Sequence, residues 1–183
     1  DWSSDVCSSD LGFGGSTHFY QQIGGLEDLR ELPGFKNPLP GTGDPNGTWV
    51  GSRLRYWCLS YNTNLVKKEE LPKTWEDLLT NENLSNGNLG VANRPQIWLL
   101  MLWGEHDQTW VDGYMDKFFT QLKPQLRKEG ENALLTLLVA GEFHASLPSA
   151  DYRTKQYHDK GAPIGWHCPE PVPLAVSQLG ILK

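Results

Sequence analysis

The sequence predicts an α/β domain of roughly a hundred residues with a partly parallel sheet. Three observations carry this expectation. Apolar residues switch repeatedly between helical and strand spacing, Gly141 stands between the clearest helix and the clearest strand, and that strand runs into a polar corner. Within 131–152, Ala133, Leu134, Leu137, Leu138 and Ala140 make a helical stripe, and Gly141 occupies the place where a left-handed residue closes a helix. Phe143, Ala145 and Leu147 then alternate with His144 and Ser146, which is strand spacing. Pro148-Ser149 ends that strand before Asp151 and Tyr152 open a new helix. Ligands of open α/β sheets bind beyond the carboxyl ends of the strands, which makes Ser149, Asp151 and Tyr152 candidate contacts.

The remaining elements follow in order. Residues 12–47 are punctuated by Gly14-Gly15, Gly24-Gly25, Pro33-Gly34, Pro40-Gly41 and Asn46-Gly47 and read as a connecting segment with one short helical candidate at 26–32. Trp49, Val50, Leu54, Tyr56, Cys58, Leu59 and Tyr61 form one or two strands around Gly51-Ser52. Thr74 precedes Asp77 by three residues, the spacing of a capping box, so a helix carrying Trp75, Leu78 and Leu79 starts there. A short strand at 89–92 leads to Asn93-Arg94-Pro95-Gln96, with Pro95 at the first helical position. Residues 97–103 are apolar all round, which predicts a deeply buried helix. Backbone N–H groups, the helix dipole and Arg94 make its start suited to an anion, so Asn93, Arg94 and Gln96 are candidate ligand contacts. The plainer alternative is a strand–helix corner capped by Asn93. Val111, Tyr114, Met115, Phe118, Phe119 and Leu122 share one helix face and read as core. A short helix at 153–160 ends at Gly161, a strand follows at 163–166, and Pro169, Pro171 and Pro173 argue for an extended crossing over 167–173.

Composition narrows the function classes. With 183 residues, 38% hydrophobic and 21% charged, the chain suits a globular protein of one or two small domains. The formal charge is −6, and −3 without Asp1, Asp5 and Asp10; neither value suits nucleic acid as a partner. There is no long apolar run of membrane-spanning type and no charged-then-apolar leader. Cys7, Cys58 and Cys168 lie far apart without CxxC spacing, so the sequence points to neither a zinc site nor a disulfide framework and leaves the redox compartment open. No nucleophile elbow, phosphate-binding glycine loop or HExxH is present, which weighs against an enzyme. Residues 1–11 repeat Ser-Ser-Asp and resemble translated sequencing-adaptor sequence; they are set aside from the fold, and the natural sequence is expected to begin near Gly12, inside a larger protein.

Several segments carry a family resemblance. Tyr61-Asn62-Thr63-Asn64-Leu65-Val66, followed by Leu71-Pro72-Lys73-Thr74-Trp75-Glu76-Asp77-Leu78-Leu79, resembles a signature of extracellular solute-binding proteins of ABC transporters, especially the iron(III)-type group of family 1. Gly141-Glu142, Lys160-Gly161-Ala162-Pro163-Ile164 and Pro169-Glu170-Pro171-Val172-Pro173 resemble later signatures in the same order, so the likeness covers 44–183. It implies a type II periplasmic-binding-protein-like α/β fold, one complete lobe plus part of the other. On that reading 12–61 is partial lobe one with the first hinge strand, 62–166 is lobe two, and 167–183 crosses back. The cut in lobe one would leave Trp49, Val50, Tyr56 and Trp57 on strands without neighbours.

The resemblance also implies a function. The chain would belong to a periplasmic or extracytoplasmic receptor, a monomer without catalytic residues, resident cofactor or nucleic-acid partner. It would capture a small-molecule or metal-ion solute in an interlobe cleft and deliver it to an ABC permease in the membrane. Iron-binding members carry a Tyr-Tyr pair after the Gly-Glu; here that pair falls on Asp151 and Tyr152, which become the candidate metal ligands for transported ferric iron. The aspartate in the first place keeps a hard oxygen donor but changes its geometry, so an organic or phosphorylated solute is an equal expectation. His144, His158 and His167 are isolated and read as structural. The competing class is an effector-binding or catalytic α/β domain of a regulator or enzyme, with Asp151, Glu142 and His144 as acid–base groups.

Overall fold

The computed structural model describes residues 28, 30, 43–44 and 46–180. The leader at 1–11 and the helical candidate at 26–32 fall outside the described residues, apart from 28 and 30. The chain divides into two compact units, 1–55 with 175–183, and 56–174. In the first, the carboxylate of Asp44 accepts the Thr48 N–H at 3.2 Å and closes a turn in which Gly47 takes a left-handed φ of 74°.

β1 (Val50–Asn62) is one strand of 13 residues, uninterrupted at Gly51-Ser52. α1 (Trp75–Leu79) starts with the capping box that the sequence predicts: Thr74 Oγ1 accepts the Asp77 N–H at 3.1 Å, and the Asp77 carboxylate accepts the Thr74 N–H at 3.0 Å. β2 (Leu89–Val91) leads into α2 (Gln96–Glu105), whose N-cap is Pro95. α3 (Gln108–Lys117), capped by Asp107, runs on through a π-helical turn over Phe118–Leu122 and stops at Lys123 in the left-handed region. β3 (Gln125–Leu126), α4 (Glu131–Ala140), β4 (Ala145–Ala150), α5 (Asp151–His158), β5 (Ile164–His167) and β6 (Leu174–Leu179) complete the order. Gly141 closes α4 with φ 85°, as predicted.

The strands form a mixed sheet in the order β3-β2-β4-β1-β5, with β6 also paired to β1. β3, β2 and β4 are parallel, and β1 runs antiparallel to β4 and β5. The unit 56–174 has a core on each face of this sheet. Leu89, Val91, Ala145 and Leu147 join Trp75, Leu78, Trp98, Leu102, Tyr114 and Phe118 from α1 to α3 on one side. Leu134, Leu135 and Leu138 of α4 pack with Phe143 and Ile164 on the other. Gly90 marks the second face: a Cβ there would stand 2.8 Å from the Phe143 ring, so only glycine fits. Burial pushes the Tyr114 hydroxyl far above its ordinary pKa, and it stays neutral and donates to the Trp75 carbonyl at 2.9 Å.

Four expectations are corrected here. The strand after α4 spans Ala145–Ala150, not 143–147, and all six residues are buried instead of alternating, because β4 has a strand on each side and a core on each face. Pro148 is tolerated inside it because the pairing with β1 slips between Cys58 and Ser60, so the ladder is already broken where the missing N–H would fall. α2 is not deeply buried all round: Trp98 and Leu102 are, but Leu100 and Trp103 are 45% and 44% exposed. β1 is not short of neighbours, and Trp57 is buried.

The fourth correction concerns the cysteines. Cys58 on β1 and Cys168 just after β5 form a disulfide, with Cα atoms 4.9 Å apart and 110 residues apart in sequence. Spacing alone could not reveal it, because the antiparallel β1–β5 pairing that brings the two together is a long-range contact. The segment after Cys168 is the extended crossing that its prolines predict. It is held by Glu170 N–H to Lys73 O at 2.8 Å and by the Trp75 indole N–H to Pro171 O at 2.8 Å.

Closing a loop of this length removes about 5 kcal/mol of chain entropy from the unfolded state in the simplest account. The double substitution Cys58→Ala, Cys168→Ala is therefore expected to lower the urea midpoint clearly in oxidising buffer. Dithiothreitol should lower the wild-type midpoint and leave that of the double variant unchanged.

Candidate functional site

Parallel pairing of β3, β2 and β4 brings their carboxyl ends to one edge of the 56–174 unit. Gly90 lies opposite Gln125 and Ser146, and Val91 opposite Leu126 and Leu147. A helix starts beyond each strand: α4 after β3, α2 after β2, α5 after β4. Three helix N-termini thus share the edge where α/β sheets bind ligands. Elsewhere in the unit, Thr74 and Asp107 cap their helices through side-chain oxygens, whereas the N-cap residues Pro95, Gly130 and Ala150 at this edge supply none.

Of the residues singled out from the sequence, four are brought to this edge. Asn93 and Arg94 follow β2 and are exposed; Asp151 and Tyr152 follow β4 and are half-buried. Gln96 begins α2, and its side chain lies outside the described residues. Ser149 is corrected: it is fully buried, its hydroxyl 3.0 Å from that of Ser146, and it belongs to the interior of β4. The same neighbourhood holds a second hydroxyl pair, Ser60 with Thr154, which ties β1 to α5. Asn93 does not cap α2. Its side-chain amide donates to Lys128 O at 3.2 Å and its N–H to Glu129 O at 3.2 Å, so it fastens the loop between β3 and α4.

That loop is also held by charge. The Arg127 guanidinium pairs with Glu129 at 3.1 Å and with Glu142 at 3.3 Å, while the Arg127 N–H donates to Val91 O at 2.9 Å. The hydrogen bonds from Arg127 hold the Glu129 carboxyl below its ordinary range.

One further group at the edge is one that sequence reasoning did not single out. Glu131, the first residue of α4, reaches across to α5: Oε1 accepts the Ala150 N–H at 2.6 Å, and Oε2 lies 3.0 Å from Arg153 Nε. The Arg153 guanidinium also donates to Asn132 Oδ1 and lies 5.3 Å from the centre of the Tyr152 ring. No local pattern signals this contact, which depends on two helices meeting across the sheet edge. The isolated histidines are satisfied by carbonyls: His144 with Asn83 at 2.7 Å, His158 with Ile164 at 3.0 Å, His167 with Pro72 at 2.6 Å. Among the described residues no three His, Cys, Asp or Glu side chains are grouped to hold a metal ion, and no helix is long and apolar enough to cross a membrane.

Two outcomes check this description. Ser149→Ala should cost about 1 kcal/mol of stability, through the unpaired Ser146 hydroxyl, in chemical denaturation. Glu129 has a lowered folded pKa, so its contribution is complete above the ordinary carboxylate range and is lost as pH falls through the lowered value. Amide-exchange protection at Arg127, corrected for intrinsic exchange, should then stay constant down through the ordinary carboxylate range and fall only below it.

Residues 21–103 match the family described as bacterial extracellular solute-binding protein. No curated protein matches the sequence. Among solved structures, AfuA from Actinobacillus pleuropneumoniae, a periplasmic binding protein with fructose-6-phosphate bound, aligns with a TM-score of 0.69 at 20% identity, over 89% of this chain and 53% of its own. Iron-bound HitA from Pseudomonas aeruginosa aligns at 0.63 and 20%, over 78% and 47%. The Trichodesmium protein IdiA (FutA), in complex with iron and citrate, aligns at 0.64 and 20%, over 78% and 48%. The chain spans about half the length of these structures. Asp151 and Tyr152 lie outside the matched 21–103, so the family match itself assigns them nothing. The family and these neighbours are binding proteins, not enzymes; the chain has the fold of a periplasmic binding protein and, over 21–103, matches the bacterial extracellular solute-binding proteins.

Proposed function

We propose that the chain is part of an extracytoplasmic solute receptor of an ABC importer, and that its share of the solute contacts comes from Asn93, Arg94, Gln96, Asp151 and Tyr152. The observation that carries this reading is the meeting of those positions at the carboxyl edge of parallel β2 and β4. The Cys58–Cys168 disulfide supports an oxidising location. The solute is a small molecule bearing an oxyanion, received at the start of α2, where the helix dipole and Arg94 favour negative charge and the N-cap has no side-chain acceptor. At the start of α5, the Asp151 carboxylate and Tyr152 hydroxyl receive hydroxyl or amine groups of the same solute.

Ferric iron is the second reading. Asp151 and Tyr152 are adjacent hard oxygen donors, and HitA and the Trichodesmium protein are described with iron. The permease would take the solute from the loaded receptor.

Amide resonances in the ¹⁵N-labelled chain, titrated with inorganic phosphate, a sugar phosphate and ferric citrate, separate these readings. The first expects saturable shifts at 93–97 and 151–154 with a phosphate-bearing solute, and a Tyr152→Phe loss of about 1 kcal/mol. The second expects paramagnetic broadening at 151–154 with ferric citrate, lost in Tyr152→Phe by more than about tenfold in affinity. Shifts with none of the three, or only away from this edge, would remove it from the site.

A further inference from the structure

Asp151 and Tyr152 sit at the very start of a helix of eight residues, where a peptide end would fray unless something outside the helix held it. The N-cap position is Ala150, which has no side chain to cap with. The holding group comes from another helix. Glu131 is the first residue of α4, and both of its carboxylate oxygens are committed to α5: one to the Ala150 N–H at 2.6 Å, the other to Arg153 Nε at 3.0 Å. Only 15% of the Glu131 side chain is exposed. The carboxylate therefore acts as a side-chain cap supplied in trans, and it compensates the positive end of the α5 dipole.

The contact passes through Arg153 to the ligand-facing residues. The Arg153 guanidinium is held against α4 by the Nη1 hydrogen bond to Asn132 Oδ1 and by an ion pair with Glu131, in which Nε lies 3.0 Å from Oε2 without hydrogen-bond geometry, and it lies over the Tyr152 ring. Tyr157, one turn further along α5, repeats the link: its hydroxyl lies 3.0 Å from Thr136 Oγ1 and 3.3 Å from Asn132 O. The α4–α5 seam is thus polar and specific where it meets the edge.

We propose that Glu131 is the positioning residue of the solute site: through the Ala150 amide and Arg153 it sets the direction in which Asp151 and Tyr152 meet the solute, without touching the solute itself. The proposal rests on the solute-binding reading above. It also assigns a chemistry to that end of the site. Because the α5 dipole and Arg153 are already met by an internal carboxylate, the start of α5 is not where the solute's anion goes. That end of the site would instead meet hydroxyl or amine donors of the solute.

The test uses Glu131→Ala and Glu131→Gln in the whole chain. In Glu131→Ala the Ala150 N–H resonance should lose its downfield shift and its exchange protection. Sodium acetate should restore both in that variant and change neither in wild type, since acetate rebuilds the two-oxygen contact. Glu131→Gln, which keeps one acceptor for the Ala150 N–H but no charge for Arg153, should preserve Ala150 protection and shift the Arg153 side-chain resonances as the ion pair is lost. Titration with inorganic phosphate should leave the shifts at 93–97 unchanged in both variants, and titration with a sugar phosphate should lose its shifts at 151–154 by at least tenfold in affinity in Glu131→Ala. Acetate without effect on Glu131→Ala, or tighter phosphate binding at 151–154 once Glu131 is removed, would overturn the proposal; the latter would mean that Glu131 occupies the solute's own anion position. Rescue by acetate combined with no response of wild type to any solute would leave the positioning contact established and refute the solute reading alone.

Discussion

The pairing of β4 on both of its edges is the constraint on which the rest depends. Parallel to β2 on one side and antiparallel to β1 on the other, it is buried along all six residues, so a shift of its register would move Ala145 and Leu147 out of one core and strand Ser146 and Ser149 without their hydroxyl partners. A register set this firmly also decides where the strand stops. β4 runs parallel to β2, so the start of α5 and the start of α2 lie at the same edge of the sheet though more than fifty positions separate them in sequence.

Local signals in the sequence corresponded to local structure. The Thr74 capping box, the left-handed Gly141 and the prolines of the crossing all behave as their spacing predicts, since each depends on residues within a few positions of one another. What could not be read depended on distance. β3 has two residues and no apolar alternation, so nothing in Gln125-Leu126 marks it as a strand apart from its partner β2. The burial of Ser149 needs β1 opposite it, and the disulfide needs β5 beside β1. The apolar run at 97–103 misled for the opposite reason: composition overstated burial, because a helix on the surface of a sheet covers only one face of itself.

The placement of the candidate residues was legible in the same uneven way. Asn93, Arg94, Asp151 and Tyr152 could be named because they follow strands, and ligands sit where strands end. Their division of labour could not be. Asn93 turns out to fasten the 127–130 loop, and the group that orders Asp151 and Tyr152 is a glutamate twenty positions earlier, written as an ordinary first-turn acid of its own helix. First-turn acids are common for the sake of their own dipole; that this one serves a neighbouring helix is visible only in three dimensions.

The disulfide has a topological consequence. Joining Cys58 to Cys168 makes the backbone between them, with the bridge, a closed ring that contains β2 to β5 and every helix from α1 to α5. A single proteolytic cut anywhere inside that ring opens it without releasing a fragment. Surface loops such as the one at 127–130 then become places where cleavage is survivable: the two pieces stay at each other's effective concentration, and the sheet can re-form from a nicked chain.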